Sequence, residues 1–211
     1  MVKLKSFDDP TLKAADEALE ERENSSTPRG WLGFSSAGDC ERKQDYRFSF
    51  ADAEKFNAKT LKNFADGHRT EDLVIERLRL VSGVTVISHD PDTNRQIEVE
   101  DFNGHFRGHL DGEVLGLQQA PKTWHVLEVK CVGEANFRKF QKIKSAHGEK
   151  NTLKEWNEVY YAQHQLYMLY RGHKRGYLIV ASAGGRDWDA VRTNLDKEAA
   201  TFYARRAQRI I

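Results

Sequence analysis

The sequence predicts one α/β domain, a central mixed β-sheet flanked by helices, in the order helix, three or four strands, helix, strand, helix. Three observations predict it. The chain has 211 residues, enough for one well-filled core and tight for two domains. Hydrophobic residues make up 39% and charged residues 31%, the balance of a globular chain rather than a disordered one. Apolar residues recur at helical spacing before Gly83 and in strand alternation after it.

Residues 10–23 read as an acidic amphipathic helix opened by Asp9-Pro10, and Asn24-Ser-Ser-Thr-Pro-Arg-Gly30 as turn chemistry. Ser35 or Ser36 is expected to cap a short helix reaching about Phe48, so residues 1–50 form a helical segment ahead of the core. A longer helix is expected over about Ala53–Val81, with a break near Gly67 and with Leu73, Ile75, Leu78 and Leu80 among its apolar residues. Strands are expected at Val84–Ser88 and Gln96–Phe102, joined by the turn His89–Asn94, then at Phe106–Val114 and Trp124–Lys130. Helices over about Glu134–Ser145 and Leu153–Tyr170, a strand at Gly176–Ala181 and a helix from Asp196 complete the chain. Neither a repeat nor a low-complexity segment interrupts this order.

Several function classes drop out. No apolar run approaches the roughly 18 residues that cross a bilayer. The first residues lack the apolar centre of a signal peptide, so a cytoplasmic protein is expected, with no membrane partner. Cys40 and Cys131 stand far apart, are expected as free thiols, and cannot supply a four-cysteine zinc or iron-sulfur site. A phosphate-binding Gly-x-x-x-x-Gly-Lys-Ser/Thr loop, a His-Glu-x-x-His helix and a deaminase Pro-Cys-x-x-Cys are all missing. The net charge of +1 decides nothing about nucleic acid, but its distribution does. Between Lys130 and Lys154 there are seven Lys/Arg, Arg138 and Lys139 among them, against Glu134 and Glu149. A second basic cluster comprises Arg171, His173, Lys174 and Arg175. Such stretches are either solvated helix faces or a patch that follows a phosphate backbone.

The chemistry concentrates on the strand at Trp124–Lys130. Residues two apart on a strand share a face, so Glu128 and Lys130 project together while Val129 points away. Seventeen residues earlier, in Phe106-Arg-Gly-His-Leu-Asp-Gly-Glu-Val114, Asp111 falls where a strand meets a glycine on the expected neighbour. Two carboxylates converging there would repel, and one would take up a proton unless a cation joined them. An all-oxygen set favours magnesium or manganese over zinc.

Asp111 followed by Glu128-Val129-Lys130 resembles the PD-(D/E)XK nuclease superfamily, in its RecB-like and lambda-exonuclease-like, phage-type branch. The likeness extends to Phe64-Ala-Asp-Gly-His-Arg-Thr-Glu71, similar to the family's Gly-x-x-x-Glu helix motif, and to Tyr160-Tyr-Ala-Gln-His-Gln-Leu-Tyr167, similar to its Gln-x-x-x-Tyr motif. Ser35-Ser-Ala-Gly-Asp-Cys-Glu-Arg-Lys43 resembles the serine-rich entry of the RecB-like enzymes. The resemblance implies a single nuclease domain over residues 1–211 with a restriction-endonuclease-like α-β-β-β-α-β core. It implies Mg2+, with Mn2+ as substitute and without an iron-sulfur cluster, held by Glu71, Asp111, Glu128 and the Val129 carbonyl. Lys130 then supports the attacking water or the developing charge. Gln163, Tyr167, Arg42 and Ser36 are expected at the DNA, together with Arg138 and Lys139 of the basic stretch. Pro91-Asp92 in the turn is a decoy for Asp111, and His68 is an alternative to Glu71. The implied activity is a DNA exonuclease of phage-type recombination, replication or repair. Homo-oligomerisation and a single-strand annealing or other recombination partner are left open. Two other readings are a structure- or site-specific endonuclease on the same fold and a DNA-binding module without turnover.

Overall fold

A computed structural model describes residues 9–25, 29–49 and 55–211. Helix α1 (Pro10–Asn24) starts where the Asp9 carboxylate accepts the N–H groups of Thr11 and Leu12. After β1 (Leu32–Gly33) and one 3-10 turn, Phe34–Ser36, comes α2 (Glu41–Phe48), which begins behind Cys40. Neither expected serine caps α2: the Ser36 hydroxyl donates to the Gly33 carbonyl inside its own tight turn. Helix α3 (Ala58–Arg79) is capped by Asn57 and runs unbroken through Gly67, since one glycine costs a helix only about 1 kcal/mol. It ends before Leu80, which is exposed and outside the apolar face. The expected helix start at Ala53, and residues 26–28 of the turn segment, lie outside the described residues.

The strands form two sheets where one was expected. Strand β4 (Phe106–His109) lies between β1, parallel to it, and the antiparallel β3 (Glu98–Asp101). The larger sheet has the order β2 (Thr85–Ile87), β5 (Gly112–Leu115), β6 (His125–Val132), β7 (Arg175–Ser182), β8 (Trp188–Asn194). Only β6 and β7 are parallel in it, so it is mixed. The stretch Phe106–Val114, expected as one strand, therefore changes sheets at Leu110–Asp111. Leu110 still donates its N–H to Ile97 in the small sheet, whereas Gly112 already pairs with Leu127 in the large one. A glycine is required there because a Cβ would lie 2.9 Å from the Ile87 carbonyl oxygen. The His89–Asn94 turn closes on a single bridge, His89 to Gln96, after which β2 and β3 part into different sheets.

Parallel β6 and β7 need a crossover, supplied by α4 (Glu134–His147), α5 (Glu149–Trp156) and α6 (Glu158–Arg171). The helix expected over Leu153–Tyr170 is thus two. Asn157 is extended, and its side chain accepts the Tyr160 N–H, so the chain restarts there as a cap. Strand β8 was not expected from the sequence; only Val191 and Thr193 are buried on it, too little alternation to mark a strand. Helix α7 (Lys197–Ile210), capped by Asp196, ends the chain.

Successive residues of β6 feed opposite cores. Val126 and Val132 pack with Phe140 of α4, Leu166 and Met168 of α6, and Ala207 of α7. Leu127 and Val129 pack with Val74 and Ile75 of α3. The result is a three-layer α/β/α arrangement with α3 on one face and α4, α6 and α7 on the other. Among the described residues no helix is long and apolar enough to cross a membrane.

Candidate active site

A cleft opens where the chain passes from β4 of the small sheet to β5 of the large one. Its walls are α3 on one side and Trp31, Ser35, Arg107 and His109 on the other; Asp111, Glu128, Val129 and Lys130 form its floor. Its volume of about 970 Å³ is at the top of the range for small-molecule pockets, which suits an extended ligand.

Each charged group on the floor arrives there through its backbone. The pleat of β6 puts Glu128 and Lys130 on one face, and the Lys130 ammonium donates to Glu128 Oε1 at 2.5 Å. Lys130 also stands 5.1 Å from the centre of the Tyr160 ring, a contact that favours its charge. Asp111 occupies the gap between the two sheets, and its Oδ2 accepts the Val129 N–H at 2.7 Å. Glu71 reaches the cleft from the middle of α3. Glu128 is 1% exposed, and its Oε2 has no hydrogen-bond partner among the described residues.

Three carboxylates, Asp111 and Glu128 buried and Glu71 half-buried, face one lysine, so negative charge is in excess. Burial, with the charge of Asp111 added, raises the Glu71 and Glu128 carboxyls to about 8 in each case, against the opposing pull of Lys130. Burial also raises Asp111, although Lys130 and the Val129 N–H pull it down. For Lys130 burial alone would favour loss of the proton. The charges of Glu128 and Asp111 and the hydrogen bond to Glu128 outweigh it, so the ammonium stays charged well above the ordinary lysine value. A divalent cation fits this donor set: it would remove the excess charge and give Glu128 Oε2 a partner. Among the described residues no three His, Cys, Asp or Glu are already drawn together closely enough to enclose a metal. Lys130 holds one oxygen of Glu128 and the β6 backbone holds one of Asp111.

Gln163 and Tyr167 are both buried on α6 and line the cleft. Gln163 Nε2 donates to the Tyr167 hydroxyl at 3.3 Å, and that hydroxyl donates to the His109 carbonyl at 2.6 Å. Tyr167 thus braces the wall. Gly108 makes room for it, since a Cβ there would come within 2.6 Å of the ring. Of the remaining expected residues, Arg42 donates to the Tyr46 hydroxyl, Ser36 is turned into its own turn, and Arg138 pairs with Glu134 on the exposed face of α4 beside Lys139. None of these four lines the cleft; Ser35 does in place of Ser36. His68 is exposed in the cleft, and its charge acts on Asp111. Asp92 sits exposed at its turn, its N–H donating to Asp90, away from the floor. Sequence reasoning passed over Phe64 and Trp31, which line the cleft near its mouth. Phe64 lies seven residues before Glu71, the spacing of one helix face, and so was open to detection. Trp31 carries no such signal.

The fold is of the restriction-endonuclease-like α/β class. No family model and no curated protein sequence matches the chain. Solved structures do. An alkaline exonuclease (LHK-Exo) from Laribacter hongkongensis superposes with a TM-score of 0.56 at 13% identity, over 92% of this chain and 90% of its own. The same exonuclease in complex with dAMP gives 0.55 at 14%, over 86% of each chain. A phage related exonuclease from Haemophilus somnus 129PT gives 0.56 at 12%, over 89% of this chain and 94% of its own. The chain has the lambda-exonuclease-like PD-(D/E)XK fold.

Proposed function

We propose that the chain is a divalent-metal-dependent DNA nuclease acting as an exonuclease on phosphodiester bonds. One observation carries the reading: the buried Glu128, with one oxygen on Lys130 and the other unpartnered, faces Asp111 and Glu71 across an open cleft. That the structural neighbours are exonucleases supports it.

Hydrolysis requires a water oxygen to bond to phosphorus, one P–O bond to break, and the departing oxygen to gain a proton. Magnesium or manganese, held by Glu71, Asp111, Glu128 and the Val129 carbonyl, would polarise the phosphate and the attacking water when bound. Lys130 keeps its proton, so it stabilises the negative charge building on the phosphoryl oxygens rather than acting as a base. The Val129 N–H fixes Asp111, and Tyr167 fixes the β4 wall against which a strand would lie. Arg138 and Lys139 on α4 would extend the contact with the DNA backbone beyond the cleft. We place the activity in phage-type recombination, replication or repair in the cytoplasm, alone or with a single-strand annealing partner; the phage related exonuclease among the neighbours supports that setting.

A second reading, an endonuclease, is favoured by one feature. The face of α3 lines the cleft on both sides of Glu71, from Phe64 to Arg79, so a continuous strand has room to pass. End-labelled linear duplex and single strands, incubated with magnesium, manganese, calcium or EDTA, test the first reading: mononucleotides should accumulate with the first two metals only. Covalently closed circular DNA should resist, and its nicking would favour the second reading. If Glu128→Gln digests as fast as the parent, the site is elsewhere.

A further inference from the structure

The acidic floor repels the polyanion it is read as cutting, so neighbouring groups must hold the strand in place. Among cleft-lining cations, Arg107 is paired with Glu98 and Glu100. Arg79 differs. Among the described residues its guanidinium meets only neutral acceptors, and through one nitrogen: Nη2 donates to Ser88 Oγ at 2.8 Å and to the Val86 carbonyl at 3.4 Å. Nε and Nη1 are left for a ligand. Ser88 is 4% exposed, and its Oγ lies 2.9 Å from His89 Nδ1. Ser88 Oγ therefore ties the Arg79 guanidinium and the exposed His89 ring together, both at the cleft surface. Arg79, Ser88 and His89 all line the same cleft as the three carboxylates. A purely structural tie between α3 and β2 would need Nη2 alone; it explains neither the absence of a carboxylate nor the imidazole.

We propose that Arg79, Ser88 and His89 form a phosphate subsite at the far end of the cleft, which seats a backbone phosphate of the strand cut at Glu71, Asp111 and Glu128. This rests on the nuclease reading above. Eight residues of α3 separate Glu71 from Arg79, about 12 Å at 1.5 Å per residue. That length matches roughly three stacked nucleotides at about 3.4 Å each along a strand. The subsite therefore sets a register, engaging the phosphate about three positions from the bond that breaks.

The test uses a fluorescein-labelled single-stranded DNA dodecamer and calcium in place of magnesium, followed by fluorescence anisotropy. Arg79→Gln should raise the Kd about tenfold, the scale of one charged hydrogen-bonded contact. It should also flatten the salt dependence by about 0.7 in log–log slope, one phosphate's worth on a single strand. His89→Ala should shift affinity in the same direction, and it carries the test if Arg79→Gln fails to fold by circular dichroism. In magnesium, a neutral methylphosphonate three linkages from the cut should slow the parent and leave Arg79→Gln no slower than it is on the unmodified strand. If the strand is bound and cut but both variants match the parent in Kd and salt slope, the subsite is overturned and the nuclease reading stands. If the parent neither binds nor cuts any strand, both fall together.

Discussion

The carboxylate of Asp111, which lies between β4 and β5, is held by the backbone N–H of Val129 on β6, at 2.7 Å. Asp111 sits between two hydrogen-bonded ladders, so its side chain takes its position from the neighbouring strand, whose next residue is Lys130 and whose previous one is Glu128. The geometry of the floor is thereby referred to one strand, β6. Rigid elements hold a site more accurately than loops do, and here the one acid outside a regular element is fastened to one.

Glu128→Gln should make the metal-free protein more stable and much less active. At pH 8.5 the parent carries a buried charge whose folded pKa, about 8, lies far above the ordinary 4.5. The neutral amide avoids that penalty, although it gives up the ion pair with Lys130. We expect the Tm in EDTA to rise by about 2–4 °C, equivalent to about 1 kcal/mol for a chain of this length. Nuclease activity in magnesium should fall roughly 10²–10³-fold. A lower Tm in EDTA would show that the ion pair outweighs the desolvation.

Stability should depend on pH and metal together. Folded, Glu71 and Glu128 hold their protons up to about pH 8; unfolded, they lose them near 4.5. Their contribution is thus fully present below pH 4.5 and is lost as the pH rises through 8. Magnesium or manganese competes with those protons, so the rise in Tm on adding metal should be larger at pH 8.5 than at pH 6, and EDTA should reverse it. Thermal melts at the two pH values measure this, and an equal increment at both would count against chelation by these carboxylates.

Glu113 behaves in the opposite sense. It is buried, yet hydrogen bonds from His173 and Arg171, at 2.9 and 2.6 Å, outweigh the burial and lower its pKa to about 2. Its contribution is present above pH 4.5 and is lost as the pH falls toward 2. Arg171→Ala should cost about 1–3 kcal/mol at pH 7, less than for a fully enclosed pair because the Arg171 side chain is 35% exposed. The deficit in Tm relative to the parent should shrink between pH 4.5 and 3.

Tyr167→Phe separates bracing from chemistry. It removes the donor to the His109 carbonyl and leaves that acceptor and Gln163 without their partner, a loss of about 1–2 kcal/mol. Activity should fall less than about tenfold, because the hydroxyl acts through the wall. A drop comparable to that of Glu128→Gln, at unchanged stability, would place the hydroxyl at the substrate instead.

Phe64 is 47% exposed at the cleft and packs edge-on against Phe56. Its replacement by alanine should leave the Tm within about 1 °C, since few of its contacts are buried. Single-strand affinity should fall about tenfold, the effect of losing one stacking surface worth about 1–3 kcal/mol. Fluorescence anisotropy with the dodecamer reads it directly.

Legibility in the sequence followed the strength of the local pattern. Glu128 and Lys130 were placed by strand period alone, because the apolar run Val126-Leu127 and Val129 leaves β6 no other register. Asn157 was missed as a helix break because Trp156 and Tyr160 keep an apolar face going across it, and only the backbone turns. The sheet change at Leu110–Asp111 was invisible for a related reason. Phe106, Gly108 and Leu110 alternate as one strand would, while the choice between sheets is made by distant partners, Ile97 and Leu127. Arg79, Ser88 and His89 meet only once α3 packs against β2, a contact no spacing encodes.

That sheet change has a wider consequence. The small sheet builds the wall along which a substrate would lie, the large sheet carries the floor, and Asp111 is where the chain passes from one to the other. Wall and floor are accordingly separable parts of the molecule. On the proposed function, substitutions on β1 and β4 are expected to retune what is admitted without disturbing the charged floor, provided the Asp111 junction and its grip on Val129 are kept. A chimera carrying another protein's three-stranded wall, joined at Leu110–Gly112, would be expected to inherit that protein's choice of strand while retaining this chain's chemistry.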